Sequence, residues 1–219
     1  MFGRKLMIRT DNRTLKERPI IMSTPMVKAI LDGRKTMTRR VIKPQPTKTG
    51  YVQICLEDGR VSWPYLYTPA RVGFKEKEML CPYGQVGDRL WVRETFYIQE
   101  WLGKPLSELQ PLHYKADGNT DSLEDYAAKP SIHMPRWASR ITLEITEVRV
   151  ERVQEITTKD AVNEGCPKGA TIDLHDNLQA PAVIHWFANL WDSLNAKRGY
   201  GWDISPWVWV ISFKPKKEK

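Results

Sequence analysis

A lysine and a threonine three residues apart form the pair whose types and spacing best suit chemistry in this chain. Lys35 and Thr38 lie in the run from Gly33 to Arg40, which holds four cations and two hydroxyls in eight residues. A poorly solvated lysine has a lowered pKa, and its neutral amine can take a proton from a nearby hydroxyl. The resulting nucleophile can attack a carbonyl carbon, so the pair suggests acyl transfer.

The same two side chains suit two plainer interpretations. Lysine can hold a phosphate as a point charge while threonine donates a hydrogen bond. Cations that follow a helix can also simply offset the helix dipole. Because Lys and Thr at short spacing are common, spacing alone favours a solvated basic turn.

The neighbouring elements place this run at a boundary between a helix and a strand. Thr24-Pro25 is typical of a helix start, apolar residues recur at helical spacing as far as Leu31, and Gly33 is typical of a helix end. Extended structure is predicted from Thr38 to Ile42. Side chains at such a boundary can be held rigidly and still face a cavity.

A carboxylate near the end of another predicted helix is the next candidate. Thr157 and Asp160 resemble a helix N-terminal cap, and Gly165 ends that helix just after Glu164. A carboxylate at a helix C-terminus opposes the dipole, so local structure does not require one there. In an apolar pocket its pKa would rise and it would be a candidate general acid. The alternative is an exposed glutamate on the last turn.

Arginines elsewhere in the chain are candidate ligands. The strand predicted over residues 89–97 places Leu90 and Val92 on one face and Trp91 and Arg93 on the other, so Arg93 needs either a ligand or a carboxylate partner. Residues 131–140 mix arginines with a tryptophan, which suits nucleic acid because bases stack on rings and phosphates pair with cations. The candidates there are Arg136, Trp137 and Arg140. The alternative is that the tryptophan packs in the core and the arginines pair with Glu144 or Glu151.

Composition limits the partners. The net charge of +8 and the pI near 9.4 favour polyanions, although part of the excess lies in the basic ends 1–17 and 215–219, which we expect to be loose. No apolar run approaches the roughly 20 residues of a membrane span, so no membrane partner is expected. The three cysteines lack a metal-type spacing, which indicates reduced thiols in a cytoplasmic protein. No sequence motif calls for a metal or another cofactor.

The order of predicted elements favours one domain over residues 18–214. Two stretches, about 44–82 and 99–130, read as insertions, and Asp58-Gly59 between extended runs predicts a hairpin in the first. An amphipathic helix is predicted over 181–197 and a strand over 207–213. Scattered strands with few helices predict an α+β fold, a closed or nearly closed mixed β-barrel with helices outside.

Four blocks of the sequence resemble the ASCH domain family, which is related to the PUA fold of RNA-modification proteins. The first block has the Gly-x-Lys-Thr-x-Thr-x-Arg pattern, and the second is of the Gly-Asp-x-Leu-x-Val type. The third resembles a helix that carries an acidic residue in small ASCH amidohydrolases, and the last resembles the final strand of the family. The blocks are Gly33–Arg40, Gly87–Glu94, Ile156–Gly165 and Trp207–Phe213. The likeness is closest to longer ASCH proteins of bacteriophage genomes.

The resemblance implies a PUA-like barrel with a cleft between the first helix–strand turn and the helix of Glu164. By likeness to the small N4-acetylcytidine amidohydrolases, Lys35 would be the base, Thr38 the nucleophile and Glu164 the group that handles the proton of the leaving amine, in a metal-independent reaction. Arg40 and Arg93 would hold a phosphate or the developing oxyanion. The further binding candidates in the first block are Arg34, Thr36 and Arg39.

Other functions remain open at this point. The cleft could bind RNA or a modified base without chemistry, or the protein could be a ribonuclease, an activity of some ASCH proteins. A structural role in a phage particle is a further alternative. In each case except the last, the expected partner is RNA, a nucleoside or a modified base in the cytoplasm of a bacterial or phage-infected cell.

Overall fold

The protein is described here from a computed structural model, over residues 14–45, 53–55, 60–65, 75–99, 113–118, 126–167 and 180–216. Most of the predicted loose segment 1–17, most of the tail 215–219 and parts of both predicted insertions lie outside these residues. The elements in chain order are β1 Glu17–Ile21, α1 Thr24–Leu31, β2 Met37–Val41, β3 Gln53–Cys55, β4 Arg60–Tyr65, β5 Lys75–Leu80, β6 Arg89–Arg93, β7 Phe96–Gln99, β8 His113–Tyr114, β9 Tyr126–Lys129, β10 Thr142–Arg152, α2 Thr158–Asn163, α3 Ala180–Asn195 and β11 Trp207–Pro215.

A five-stranded mixed sheet forms the centre of the fold, in the order β1-β6-β10-β11-β2. β1 runs parallel to β6, and the other neighbouring strands are antiparallel. β11 is buried on both faces because its side chains alternate between two apolar clusters. Trp209 and Ile211 pack with Leu90 and α1, whereas Val208 and Val210 pack under α3.

The sheet is not a closed barrel, so the fully closed form of the predicted barrel is wrong, whereas the α+β class is confirmed. β1 and β2 are its two outer strands, and no backbone ladder joins them in the described residues. A side chain bridges them instead, since Arg40 of β2 donates to the carbonyl oxygen of Ile21 in β1 at 2.8 Å. We call this gap between the outer strands the seam. Because a side chain rather than a backbone ladder joins β1 and β2 here, space remains between the two strands.

The strand predicted over 89–97 is also divided. β6 pairs with β1 and β10, whereas β7 belongs to a separate sheet in the order β8-β7-β9. The break falls at Glu94 and Thr95, where the Thr95 carbonyl accepts a hydrogen bond from the backbone of Lys115 at 3.0 Å. This contact ties the chain to the second sheet just after its last pairing with the first.

A third sheet, in the order β3-β4-β5, comes from the first predicted insertion. β3 and β4 are antiparallel, as the Asp-Gly signal predicts, although residues 56–59 of the turn itself are outside the described part. Among the helices that the structure describes, none has the length and apolar character needed to cross a bilayer.

Candidate functional site

A backbone bridge brings Lys35 and Glu164 together. The two residues pair in an isolated antiparallel bridge, and the neighbouring Thr36 amide donates to the Asn163 carbonyl at 2.9 Å. The end of α2 therefore lies against the chain between α1 and β2. Gly165 permits this approach, because a Cβ atom there would lie 3.0 Å from the Cβ of Ala29 and 3.2 Å from that of Lys35.

The two side chains form a buried ion pair. The Lys35 Nζ donates to Glu164 Oε2 at 2.7 Å and to the Glu164 carbonyl oxygen at 2.8 Å. The side chains are 0% and 3% exposed. Burial lowers the pKa of Lys35, and the attraction of Glu164 opposes this shift without cancelling it. The amine is thus easier to deprotonate than an ordinary lysine.

Arg39 holds the other oxygen of the same carboxylate. Its guanidinium lies 3.3 Å from Glu164 Oε1, 3.0 Å from Asp160 Oδ2 and, through Nε, 3.1 Å from Glu151 Oε1. Arg149 shares two of these acids, at 2.6 Å from Asp160 and 3.2 Å from Glu151. Arg39 is therefore neutralised within the protein and serves to fix Glu164.

A cavity of about 820 Å³ lies at the seam, and we call it the seam cavity. Thr38 and Glu164 both line it, whereas Lys35 is not among its described lining residues. Aromatic side chains from several parts of the fold also line the cavity. These side chains are Tyr83, Phe187, Trp191, Tyr200 and Trp209.

Thr38 lines the seam cavity from one face of β2, and Arg39 lines it from the other. In the β2–β11 ladder Thr38 lies opposite Ile211 and Arg40 opposite Trp209. Thr38 and Arg40 therefore share the sheet face on which Trp209 and Ile211 pack with Leu90, whereas Arg39 points to the α3 side. The Thr38 side chain is buried, and the described hydrogen bonds of the Lys35 amine go to Glu164 rather than to the Thr38 hydroxyl. The structure thus brings the three predicted catalytic residues to one region without a direct Thr38–Lys35 bond.

The predicted binding residues divide into two groups. Arg40 and Arg93 line the seam cavity with Arg39. Arg34 does not; it donates to the Gly165 carbonyl at 3.0 Å and to Asp32 at 2.8 Å, and so closes the end of α2. Thr36 is likewise absent from the described lining.

The second basic and aromatic stretch lies away from the cavity, apart from Ser131 at its start. Arg136 pairs with Glu17 at 3.1 Å, and Trp137 is 42% exposed rather than packed in the core. Arg140 pairs with Glu94 at 3.0 Å and stacks on the Tyr114 ring at 3.9 Å. Both arginines are therefore paired, but with other carboxylates than those considered from the sequence.

Sequence reasoning missed the acids that hold Arg39. Asp160 was visible only as part of a helix cap, and nothing in the spacing of Glu151 indicated that it faces β2. The aromatic walls were also missed, although the alternating tryptophans of β11 were a signal. Within the described ranges, no group of three or more His, Cys, Asp or Glu side chains is arranged to hold a metal ion.

Comparisons with known proteins add no relative. No protein-family model matches the chain, and neither a curated protein nor a solved structure is significantly similar to it. The residues and their geometry are therefore the basis of the function proposed below.

Proposed function

We propose that this protein is an amidohydrolase of the ASCH type, with a PUA-like fold, that acts on an N4-acylated cytidine-like nucleoside or base in the seam cavity. One observation supports this most. Lys35 and Glu164, which are 129 residues apart, pair at 2.7 Å, and the cavity that Glu164 lines is also lined by Thr38. Amide cleavage needs a nucleophile, a base for it and an acid for the leaving nitrogen, and these residue types supply all three.

The buried pair can supply base and acid at the same time. Moving one proton across the hydrogen bond converts the ammonium and carboxylate into a neutral amine and a carboxylic acid, and the lowered pKa of Lys35 makes this move less costly. The Lys35 amine then takes the Thr38 proton as Oγ1 attacks the amide carbonyl. Glu164 gives its proton to the leaving amine, which restores the ion pair and leaves an acyl-threonine for water to hydrolyse.

This route needs a link between Thr38 and Lys35 that the structure does not contain. Catalytic hydrogen bonds are often long or missing before substrate binds. The proposal requires that substrate binding bring the Thr38 hydroxyl within reach of the Lys35 amine, directly or through a water molecule. Arg40 lies two residues from Thr38 on the same strand face, where its guanidinium can stabilise the developing oxyanion.

The test compares two buried glutamates. N4-acetylcytidine is incubated with the wild-type protein, with Glu164→Gln and with Glu94→Gln, and the products are separated by chromatography. Glu94 is a matched control because it is buried and paired with an arginine but is not a described lining residue. We expect Glu164→Gln to lower turnover by about 10²-fold or more and Glu94→Gln to leave it nearly unchanged. An inactive wild-type protein, or equal losses in both variants, would contradict the proposal.

A non-catalytic binding module for RNA or a modified base is the second candidate. It is favoured by the two hydrogen bonds that already occupy the Lys35 amine, 2.8 and 2.7 Å long. Under this alternative the wild-type protein binds cytidine derivatives but releases no acetate, and Glu164→Gln affects binding alone.

A further inference from the structure

One face of the central sheet stays partly exposed at β6, although β6 is an inner strand with β1 and β10 as neighbours. Every second residue of β6 is buried, and the residues between them are only partly buried. In the parallel ladder with β1, Trp91 lies opposite Pro19 and Arg93 lies opposite Ile21. Ladder partners project from the same face of a sheet, and Pro19 and Ile21 are exposed. We call the surface formed by these four residues the open face.

The segment 131–137 borders the open face. Arg136 donates to Thr142 Oγ1 at 3.4 Å, and Thr142 is the ladder partner of Trp91 in β10. Trp137, the next residue, is 42% exposed. The border therefore carries a second tryptophan that is accessible to a ligand.

Arg93 has a donor that the protein does not satisfy. Its Nε is buried without a hydrogen-bond partner, while a terminal nitrogen donates to the Ile132 carbonyl. The guanidinium lies 5.5 Å from the centre of the Trp91 ring, and it has no carboxylate partner within the described part of the chain. A buried donor without a partner is costly, so an oxygen ligand at this point of the open face would be favoured.

The far end of the same sheet face has an excess of positive charge. Glu17 of β1 is shared by two guanidinium groups, at 3.3 Å from Arg89 and 3.1 Å from Arg136. Glu144, the ladder partner of Arg89, is already met by Lys214 at 3.1 Å. One carboxylate thus faces two partly exposed cations, and the unpaired guanidinium at the end of β6 adds a third. Such a surface attracts a polyanion.

The open face continues into the seam cavity, because Pro19, Ile21 and Arg93 line the cavity as well, together with Ser131 of the bordering segment. Tryptophan rings beside arginines suit a single-stranded nucleic acid, since bases stack on the rings and phosphates pair with the cations. An acidic protein segment could pair with the same arginines. The continuity with a cavity proposed to hold a nucleobase favours the nucleic acid.

We propose that the open face binds the strand of a single-stranded nucleic acid whose modified base enters the seam cavity, so that the preferred substrate is a polynucleotide. The inference rests on the proposed function for the identity of the base. The docking surface itself rests on the unpaired Nε, the excess of positive charge and the two accessible tryptophans. RNA and DNA share this chemistry, and the experiment has an arm for each.

The test is a binding comparison that involves no chemistry. Fluorescein-labelled hexacytidylates of RNA and of DNA are titrated into the wild-type protein and followed by anisotropy, with cytidine, unlabelled strand and a hexaglutamate peptide as competitors. We expect at least one strand to bind at least about tenfold more tightly than cytidine, with an affinity that falls as salt is added. Absence of strand binding, affinities equal to that of cytidine, or stronger competition by the peptide than by the unlabelled strand would overturn the proposal.

Exposed apolar side chains locate the bound strand. Trp137→Ala should lower strand affinity at least about fivefold because stacking is lost, whereas Trp137→Phe keeps a ring and should keep most of the affinity. Ile204→Ala is the matched control, since Ile204 is 62% exposed but lies outside the open face and is not a described lining residue. Equal losses in Trp137→Ala and Ile204→Ala would overturn the assignment of the surface.

Salt dependence tests the contribution of Arg93. Arg93→Gln should reduce the slope of log affinity against log salt by about 0.7, which corresponds to one phosphate contact on a single strand. Arg152→Gln removes the same charge at a distant site, where Arg152 stacks on Trp207 at 4.4 Å, and should leave the slope unchanged. Equal slopes for Arg93→Gln and the wild-type protein would overturn the role of Arg93.

A measurement on the wild-type protein covers the case in which a variant does not fold. The bound strand is cross-linked with ultraviolet light, and the adducts are mapped by mass spectrometry. We expect adducts on the peptides that contain Trp91 or Trp137. Adducts on other peptides alone would overturn the proposal.

The outcome is separable from that of the hydrolase proposal. Strand binding on the open face without any acetate release from N4-acetylcytidine would refute the hydrolase and keep the docking surface. Hydrolysis of N4-acetylcytidine by a protein that binds neither strand would do the reverse.

Discussion

Glu164 and Glu94 are two equally buried glutamates in different surroundings, at 4% and 2% exposure. Glu94 is held by Arg140, which is partly exposed and also pairs with Asp117. Glu164 is held by two fully buried cations and lines the seam cavity. Burial and ion pairing are therefore common to both sites, and contact with a cavity is what distinguishes the functional candidate.

Burial shifts the pKa of an acid at the Glu94 site and of a base at the Glu164 site. Burial raises the pKa of Glu94, and the nearby Arg140 offsets only part of this effect. At the other site burial lowers the pKa of the lysine that faces Glu164. Burial therefore favours a neutral acid at Glu94 and a neutral base at Lys35, and a neutral base is what activation of a hydroxyl requires.

Removal of the proposed nucleophile should have the largest effect. Thr38→Val keeps the shape of the side chain but deletes the hydroxyl, so turnover of N4-acetylcytidine should fall at least about 10³-fold while ligand binding survives. Initial rates measured by chromatography, with a melting curve for each protein, give the answer. Thr142→Val is the control, because Thr142 is also buried but is not a described lining residue. Equal losses in both variants would exclude Thr38 as the nucleophile.

Double-mutant cycles sharpen the comparison of the two ion pairs. Lys35→Met leaves Glu164 with one buried cation fewer and should lower the free energy of unfolding by about 3–5 kcal/mol, with strong coupling to Glu164→Gln. The cycle of Arg140→Met with Glu94→Gln should show weaker coupling, since Arg140 is partly exposed to water. Urea unfolding measures both cycles. Equal coupling energies would contradict this expectation, because they would mean that deeper burial does not strengthen the Lys35–Glu164 interaction over the Arg140–Glu94 interaction.

Two glycines test how closely Glu164 must approach Lys35. Gly33 has φ +72° with open space around it, whereas Gly165 has φ +98° and close neighbours. Gly33→Ala should cost about 1–2 kcal/mol from backbone strain alone. Gly165→Ala should cost more, because the added Cβ displaces Lys35 or Ala29. Thermal or urea unfolding compares them, and equal losses would contradict the close contact.

The smallest expected effects are pH dependences of opposite sign. Unfolded Lys35 keeps its proton up to about pH 10.5 whereas the folded form releases it earlier, so the free energy of unfolding should rise with pH in the window below 10.5. Folded Glu94 keeps its proton above pH 4.5, where the unfolded form has lost it, so the free energy should fall as pH rises through that window. Unfolding curves of the wild-type protein, Lys35→Met and Glu94→Gln, measured over a range of pH, isolate the contribution of each residue to the pH dependence of the free energy of unfolding. An unchanged pH profile in either variant would contradict the corresponding shift.

Sequence periodicity was enough to predict most elements around the site. The cap at Thr157 is present, with its hydroxyl accepting a hydrogen bond from the Asp160 amide at 3.1 Å. The alternation of β6 and the strand at Trp207–Pro215 are also as predicted, because each depends on a single strand.

The features that sequence could not supply depend on side chains from different elements. The contact of Arg40 with the Ile21 carbonyl across the seam joins strands that are distant along the chain, and no local pattern contains it. The three acids around Arg39 come from β10, α2 and the residue after α2. Such partnerships are set by packing, which a one-dimensional pattern does not record.

The most direct test of the central claim is to trap the acyl group on the protein. The wild-type protein is quenched in acid during turnover of N4-acetylcytidine, digested and analysed by mass spectrometry. We predict one added acetyl group on the peptide that contains Thr38, absent from Thr38→Val. Rapid turnover with no adduct, or an adduct on another residue, would contradict the account.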